Sequence, residues 1–371
     1  MTGKLASSEV TKRLNEWYDT IKRHDINEAT RLKSEVRHSI KEMAEDESLL
    51  LYYNLIDSRY KQVVQKFDES KSILESVKKQ TEQSETDQLL RYYYYFFSGL
   101  NEFYKRSYIK AIHYYRQAET FLAYIPDEIE HAEFHIYLAN TYYAIDQYFF
   151  SLSHAEKALD IYHKHNHYVN RRISAKMIIA FNRFDLNQHQ SAISLHEEAI
   201  ELAVKHGHTF LEIVGHYNVG LCYEYLGKLE KAKDRLERAL DIEYRQENKK
   251  DTYLEIKYML ARVLFKMDQL EEGKEWFGAA KALADETKEG TYQTKLAILH
   301  HIYLEINEAL LDEDLETLRQ RKLWHDVSDS TANAARHFKK KEMYELATKY
   351  FNEALLAKEN IPTLQEEVEK G

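Results

Sequence analysis

The sequence predicts an all-α protein built mainly from stacked helix–turn–helix repeats, and three observations carry that prediction. Only 2 prolines and 10 glycines occur in 371 residues, and strand-type alternation is nearly absent, so little interrupts helical periodicity. Hydrophobic residues make up 44% of the chain, enough apolar surface for a continuous core between stacked helices. A fixed spacing of small residues recurs to the C-terminus.

That spacing is clearest in Gly99–Ala118, GLNEFYKRSYIKAIHYYRQA, where Gly99 is followed twelve, sixteen and nineteen residues later by Ala111, Tyr115 and Ala118. This is the frame of a tetratricopeptide-like repeat: a small residue on the first helix lets the second approach, and small or aromatic residues of the second fill the gap. The frame returns as Ala139, Ser151, Ala155 and Ala158, then as Ala180, Ala192, His196 and Ala199. It continues as Gly220, Ala232, Leu236 and Ala239, as Ala261, Gly273, Phe277 and Ala280, and as Ala335, Ala347, Phe351 and Ala354. The starts differ by 40, 41, 40, 41 and then 74 residues. The last step is two intervals of 37, so a degenerate unit is expected around Leu299–His301. The period exceeds the usual ~34 residues, which calls for longer helices.

Residues 1–66 read as a separate three-helix bundle. Ser7 and Ser8 are candidate caps of a first helix whose Val10, Leu14, Trp17, Tyr18 and Ile21 share one face, and His24-Asp25 ends it. A second helix, from about Asn27 to Met43, aligns Ala29, Leu32, Val36 and Ile40, and a third turns Leu49, Leu50, Tyr53, Ile56, Tyr60 and Val63 inward. Residues 67–88, rich in Lys, Glu, Ser and Gln but with Ile73, Leu74 and Val77 at helical spacing, read as a helical linker. The repeats, about seven, then occupy residues 89–371, opening with RYYYYFFSGL, and the polar tail after Pro362 is expected to fray.

The formal net charge of −10 argues against a nucleic-acid partner held through its phosphates and permits a basic one. The single cysteine, Cys222, excludes an internal disulfide and fits a reducing compartment. MTGKLASSEV has no apolar signal core, and no stretch of about 18 apolar residues occurs, so a soluble, cytoplasmic protein without a membrane partner is expected. His163, His165 and His167 fall in a polar joint between repeats and read as solvated. No HExxH, paired CxxC or Gly-rich phosphate loop is present, so neither metal nor cofactor is expected. Cys222 lies between Leu221 and Tyr223 without an obvious base and reads as structural. The 29 tyrosines suit surfaces that bury ring area behind a polar tip.

Four segments, VTKRLNEWYDTIKRHDINEA, EDESLLLYYNLIDSRY, RYYYYFFSGLNEFYKRSYIKAI and EHAEFHIYLANTYYAIDQYFFS, carry a nearly end-to-end resemblance to the Rap family of Bacillus tetratricopeptide regulators. These proteins are inhibited by short secreted Phr pentapeptides. Some members dephosphorylate a response regulator, some sequester a DNA-binding response regulator, and some encoded on mobile elements act against a repressor. The resemblance implies that the N-terminal bundle binds the partner regulator and that the repeats hold the peptide, which biases a two-state arrangement. Dimers or larger assemblies occur among similar repeat proteins, so the oligomeric state stays open.

The resemblance also assigns candidate residues. Phosphatase members carry a glutamine at the start of the third helix, where this chain has Glu47. An amide can both donate to and accept from an attacking water, whereas a carboxylate cannot donate and would face aspartates and phosphate oxygens. That weighs against an enzyme, leaving no catalytic residue, and favours sequestration of a transcription regulator through Glu45, Asp46, Glu47 and Leu50. Read without the family, the three carboxylates are favourable charges at a helix N-terminus. In the repeats, Asn182, Asp185 and Asn218 match family positions expected to hold the peptide, with Asn140, Tyr143 and Phe149 as further candidates. With the small residue counted as position 8, Asn182, Asp185 and Asn218 are at 10, 13 and 6, of which the last two commonly face the concave side. An asparagine there would grip a peptide unit, and Asp185 a basic side chain.

Overall fold

The computed structural model describes residues 6–23, 25–43, 45–83, 87–242 and 250–362. Among them are eighteen α-helices and no β-strand. The chain divides into two compact units, the first running through Ile161 and the second from Tyr162 to Pro362.

The first unit opens with α1 (Ser7–Lys22), α2 (Ile26–Glu42) and α3 (Glu47–Val63). All five apolar residues expected on one face of α1 are buried. Its Trp17 indole N–H donates to the Ala29 carbonyl at 2.8 Å, fixing α1 on α2. Ser7 and Ser8 do not cap α1, because the helix begins at Ser7 behind an Ala6 cap position with no side-chain bond. Asp25 caps α2 through the Glu28 amide, while His24 lies outside the described residues. In α3 Leu49 and Ile56 are buried as expected, but Leu50 is 45% exposed. Leu51, Tyr52 and Leu55 are buried in its place, because α3 packs on α1 on one side and on two later helices on the other.

Those later helices are α4 (Phe67–Thr81) and α5 (Gln88–Tyr104). The segment expected to be a helical linker is a helix, and it is packed, with Leu74 and Val77 buried. Its connection to α3 is a repeat turn. Gln65 adopts a left-handed φ of 62°, and the Lys66 amide donates to the Lys61 carbonyl at 2.7 Å. The same pattern joins α5 to α6 (Tyr108–Glu119), with Arg106 at 59° and Ser107 N–H on Glu102 O at 2.9 Å. Each left-handed residue stands seven positions after the small residue of its frame. Counting back from Gln65 gives Ser58, then Ser70, Leu74 and Val77 at the frame's offsets, all buried. Ser58 precedes Gly99 by 41 residues, so the repeat series starts one unit earlier than the small-residue spacing suggested.

The unit continues with α7 (Glu128–Tyr143) and α8 (Tyr148–His163), which runs into the second unit. One apolar core extends from Val10 to Ile145. Much of it is the aromatic run of α5, where Tyr92, Tyr93, Tyr94, Phe96 and Phe97 are buried. Gly99 is where α5 and α6 meet: a Cβ there would lie 2.4 Å from the Tyr115 ring.

The second unit stacks five helix pairs: α9 (Val169–Asp185) with α10 (His189–Lys205), α11 (Thr209–Tyr225) with α12 (Leu229–Asp241), α13 (Lys250–Lys266) with α14 (Leu270–Thr287), α15 (Gly290–Tyr303) with α16 (Glu308–Gln320), and α17 (Trp324–Lys340) with α18 (Tyr344–Glu359). Frame residues Ala180, Ala192, His196, Ala232, Leu236, Ala261 and Ala335 are all fully buried. The degenerate pair is α15 with α16, where the left-handed turn is replaced by an Asn307 cap that accepts from the Leu310 amide at 3.2 Å. Phe351 departs from the frame: it is 38% exposed and Tyr350 is buried instead. The tail expected to fray after Pro362 lies outside the described residues. Among the described residues no helix is long and apolar enough to cross a membrane.

Candidate functional sites

The acidic start of α3 is shaped by one cap. Asp46 accepts from the Leu49 amide at 3.0 Å, which satisfies one of the free N–H groups of the first turn. Glu45 and Glu47 stay exposed beside it. Leu49 and Leu51 point into the core while Leu50, between them, faces outward. The result is an exposed edge of carboxylates around one leucine, with acceptors only and therefore suited to a donor-rich or basic surface.

Within the shared apolar core, polar contacts also join α1 and α3 to the first repeats. The Tyr18 hydroxyl donates to both Glu130 carboxyl oxygens, and Lys22 Nζ reaches Asp127 at 2.9 Å. Arg59 Nη2 donates to the Tyr137 hydroxyl at 3.0 Å, and Gln62 Nε2 to the Phe97 carbonyl at 2.8 Å. Glu130 is 1% exposed. Burial pushes its carboxyl up to about 7, against the opposing pull of Lys22 and Tyr18. Sequence reasoning missed these contacts, although buried polar residues on four helices form them.

In the second unit the candidate peptide residues differ in placement. Asn218 on α11 is 4% exposed, and Asp185, the last residue of α9, is exposed. Asn182 is fully buried: its Nδ2 donates to the Ile178 carbonyl of its own helix at 2.9 Å, and its Oδ1 has no partner. Position 10 of the frame thus faces the interior, whereas the concave side is the expectation for positions 13 and 6, Asp185 and Asn218. Phe181, beside it, meets His196 edge-on at 4.9 Å. In the first unit Asn140 is half-buried, Tyr143 packs on Tyr148 at 5.6 Å, and Phe149 is 76% exposed. Cys222 is buried and its thiol is pushed up to about 12, by burial first and by Asp185 second, which removes nucleophilic character. His163 and His167 are exposed. Among the described residues no three His, Cys, Asp or Glu side chains gather as a metal site.

A second polar system was not expected from sequence. Arg262 on α13, almost fully buried, bridges Glu224 on α11 at 3.2 Å and Asp329 on α17, and Lys266 also pairs with Glu224. Burial works against the Glu224 carboxylate, but Arg262 and Lys266 outweigh it and hold the group below the usual range. Lys295 on α15 reaches Asp326 on α17 at 2.8 Å. Frame position was the available signal: Glu224, Arg262 and Lys266 stand at 12, 9 and 13, where consecutive first helices confront each other with opposite charges.

Residues 4–65 match the family described as response regulator aspartate phosphatase H, N terminal, and residues 171–243 match a tetratricopeptide repeat. Response regulator aspartate phosphatase I of Bacillus subtilis (strain 168) is 30% identical over 366 residues, 96% of this chain and 93% of the relative. Regulatory protein RapG of the same organism is 30% identical over 362 residues, 96% and 98% of the two chains. The crystal structure of a Rap protein complexed with competence and sporulation factor superposes with a TM-score of 0.85 at 31% identity, covering 96% of this chain and 99% of the other. With relatives matched over nearly their full length and a repeat architecture to agree, this chain belongs to the Rap family.

Proposed function

We propose that this protein is a cytoplasmic, peptide-controlled regulator that binds and inhibits a transcription regulator, either a DNA-binding response regulator or a mobile-element repressor. The observation that carries the reading is Glu47, exposed at the capped start of α3, the position at which the family resemblance implies a glutamine in phosphatase members. With Glu45, Asp46 and Leu50 it forms an edge that can dock a basic or donor-bearing surface but cannot donate to a hydrolytic water. Release comes from a short secreted pentapeptide bound along the repeats. Asp185 and Asn218 offer an exposed carboxylate and a nearly buried amide to it, with the buried Asn182 as a third candidate in the second unit and Asn140, Tyr143 and Phe149 as candidates in the first.

A second reading, response regulator aspartyl-phosphate phosphatase, is favoured by the name of one of the relatives that are 30% identical. One experiment separates the two. The purified protein captures partners from host lysate with and without pentapeptide pools, and any receiver-domain partner is then followed for phosphate retention. Capture of a regulator that peptide elutes, with phosphate kept, supports sequestration; catalytic loss of phosphate replaces it with the enzyme.

A further inference from the structure

The first helices of the last four pairs end around a cavity of about 360 Å³. Its wall is donor-rich, and one donor, on an otherwise buried side chain, is unused. Asn333 on α17 is 2% exposed. The Tyr303 hydroxyl donates to Asn333 Oδ1 at 3.0 Å, which orients the amide and leaves its Nδ2 hydrogens without an acceptor among the described residues. That nitrogen is not fully enclosed but opens to the cavity, where an acceptor on a ligand can reach it.

The charges around it are nearly all matched. Lys266 is paired with Glu224, and Lys340 with Asp268 at 2.5 Å. His337, edge-on to Tyr303 at 4.4 Å, is driven down to about 4, chiefly by burial, and is neutral at pH 7. Arg336 is exposed on the cavity wall and has no hydrogen-bond or ion-pair partner among the described residues. It lies three residues after Asn333, on the same side of α17. The cavity therefore offers one uncompensated positive charge beside one free amide, a combination that fits a single negative charge carried on two acceptor oxygens.

From this we infer that the cavity between α11, α13, α15 and α17 is a carboxylate site, with Arg336 pairing with the charge and the Asn333 amide donating to one oxygen. The inference rests on the peptide-controlled reading, since a peptide supplies the carboxylate either at its C-terminus or on an Asp or Glu side chain. The mobile partner in this recognition is the ligand; Tyr303 keeps Asn333 in place before it arrives.

The test uses the full chain and three pentapeptide pools: free C-terminal acids, the same sequences as C-terminal amides, and free acids lacking Asp and Glu. Thermal shift and fluorescence anisotropy read binding to the unaltered protein, Arg336→Gln and Asp185→Asn. A terminal carboxylate is expected to give at least tenfold tighter binding of both acid pools than of the amides. Arg336→Gln, an exposed change whose fold is checked by circular dichroism, should erase that preference, while Asp185→Asn weakens binding and retains it. If preference instead follows Asp and Glu content and still vanishes in Arg336→Gln, the carboxylate is a side chain and the site stands. Equal binding of acids and amides with no dependence on acidic residues, or a preference that survives in Arg336→Gln, overturns the carboxylate site and leaves peptide control intact. If no pool binds the unaltered protein, peptide control itself fails and the site fails with it.

Discussion

The Tyr18 hydroxyl donates to both carboxyl oxygens of Glu130, at 2.9 and 3.0 Å, across 112 residues of sequence. This contact ties the first helix of the chain to the second helix pair of the repeats that begin at Gly99. It is an interior joint made of hydrogen bonds, and groups of that kind can be satisfied by water when the joint opens, unlike the phenyl and leucyl surfaces around them.

Glu130 gives that joint a pH dependence. Its carboxyl is raised to about 7 by burial, with Asp19, Asp127, Glu133, Tyr92 and Tyr93 nearby and Lys22 and Arg59 as the neighbouring cations. A raised carboxyl binds its proton more tightly in the folded chain than in the unfolded one. Its contribution to stability is therefore full below the ordinary carboxylate range and is lost as pH rises through about 7. Urea unfolding at pH 6 and pH 8 should differ by on the order of 1 kcal/mol in favour of pH 6 from this group. Glu130→Gln should flatten the difference; an unchanged pH profile in that variant would remove Glu130 as its origin.

Gly99→Ala tests the closest approach in the repeats. The added methyl would sit 2.4 Å from a ring carbon of the fully buried Tyr115, so the ring or the helix must shift. A loss of roughly 1–3 kcal/mol is expected from overpacking, read as a lower urea midpoint. Gly99→Ala with Tyr115→Leu should recover part of it, because the double change gives the methyl room.

The repeat frame was legible because Ala, Gly and their partners at fixed offsets are forced by helix contact, and the frame located the core at Ala180, Ala261 and Ala335. It missed the earliest pair because its small positions are the polar Ser58 and Ser70, which fall in the third bundle helix and the helical linker of that reading until the Gln65 turn shows the same geometry. Leu50 departs from its expected environment for a related reason. Which side of a helix is buried depends on how many neighbours it has, and periodicity alone did not reveal that α3 is covered on two sides. The Glu224–Arg262–Asp329 system was hidden because ion pairs between repeats about 40 residues apart leave no local pattern.

Leu49 and Leu50 form a matched pair for testing the acidic edge. Leu49 is 7% exposed and Leu50 45%. Leu49→Ala should cost roughly 2–5 kcal/mol of stability through a cavity, whereas Leu50→Ala should stay within about 0.5 kcal/mol. On the proposed partner surface the order reverses for function: Leu50→Ala weakens capture of the regulator in a pull-down while its melting curve is unchanged. Equal capture by Leu50→Ala and the unaltered protein would move the partner surface away from this edge.

Glu47→Gln addresses the choice between sequestration and phosphatase most directly. The substitution leaves the Asp46 cap in place, because the accepting oxygen belongs to Asp46 and the donor is the Leu49 amide. It keeps the length and exposure of the side chain and changes only its hydrogen-bonding character, from two acceptors to one acceptor and one donor. Beside a phosphoryl group a neutral amide escapes the repulsion that a carboxylate meets, and it can orient water for in-line attack. The unaltered protein is expected to leave phosphate on a captured receiver domain, and Glu47→Gln to accelerate its loss by roughly 10²-fold, the scale of one positioned hydrogen-bonding group. Phosphate followed by Phos-tag electrophoresis over time would show it. Rapid loss with the unaltered protein would mean that a carboxylate serves at this position, and the enzyme would be the correct reading; retention by both proteins would place the obstacle to hydrolysis elsewhere on the partner-facing edge while leaving sequestration standing.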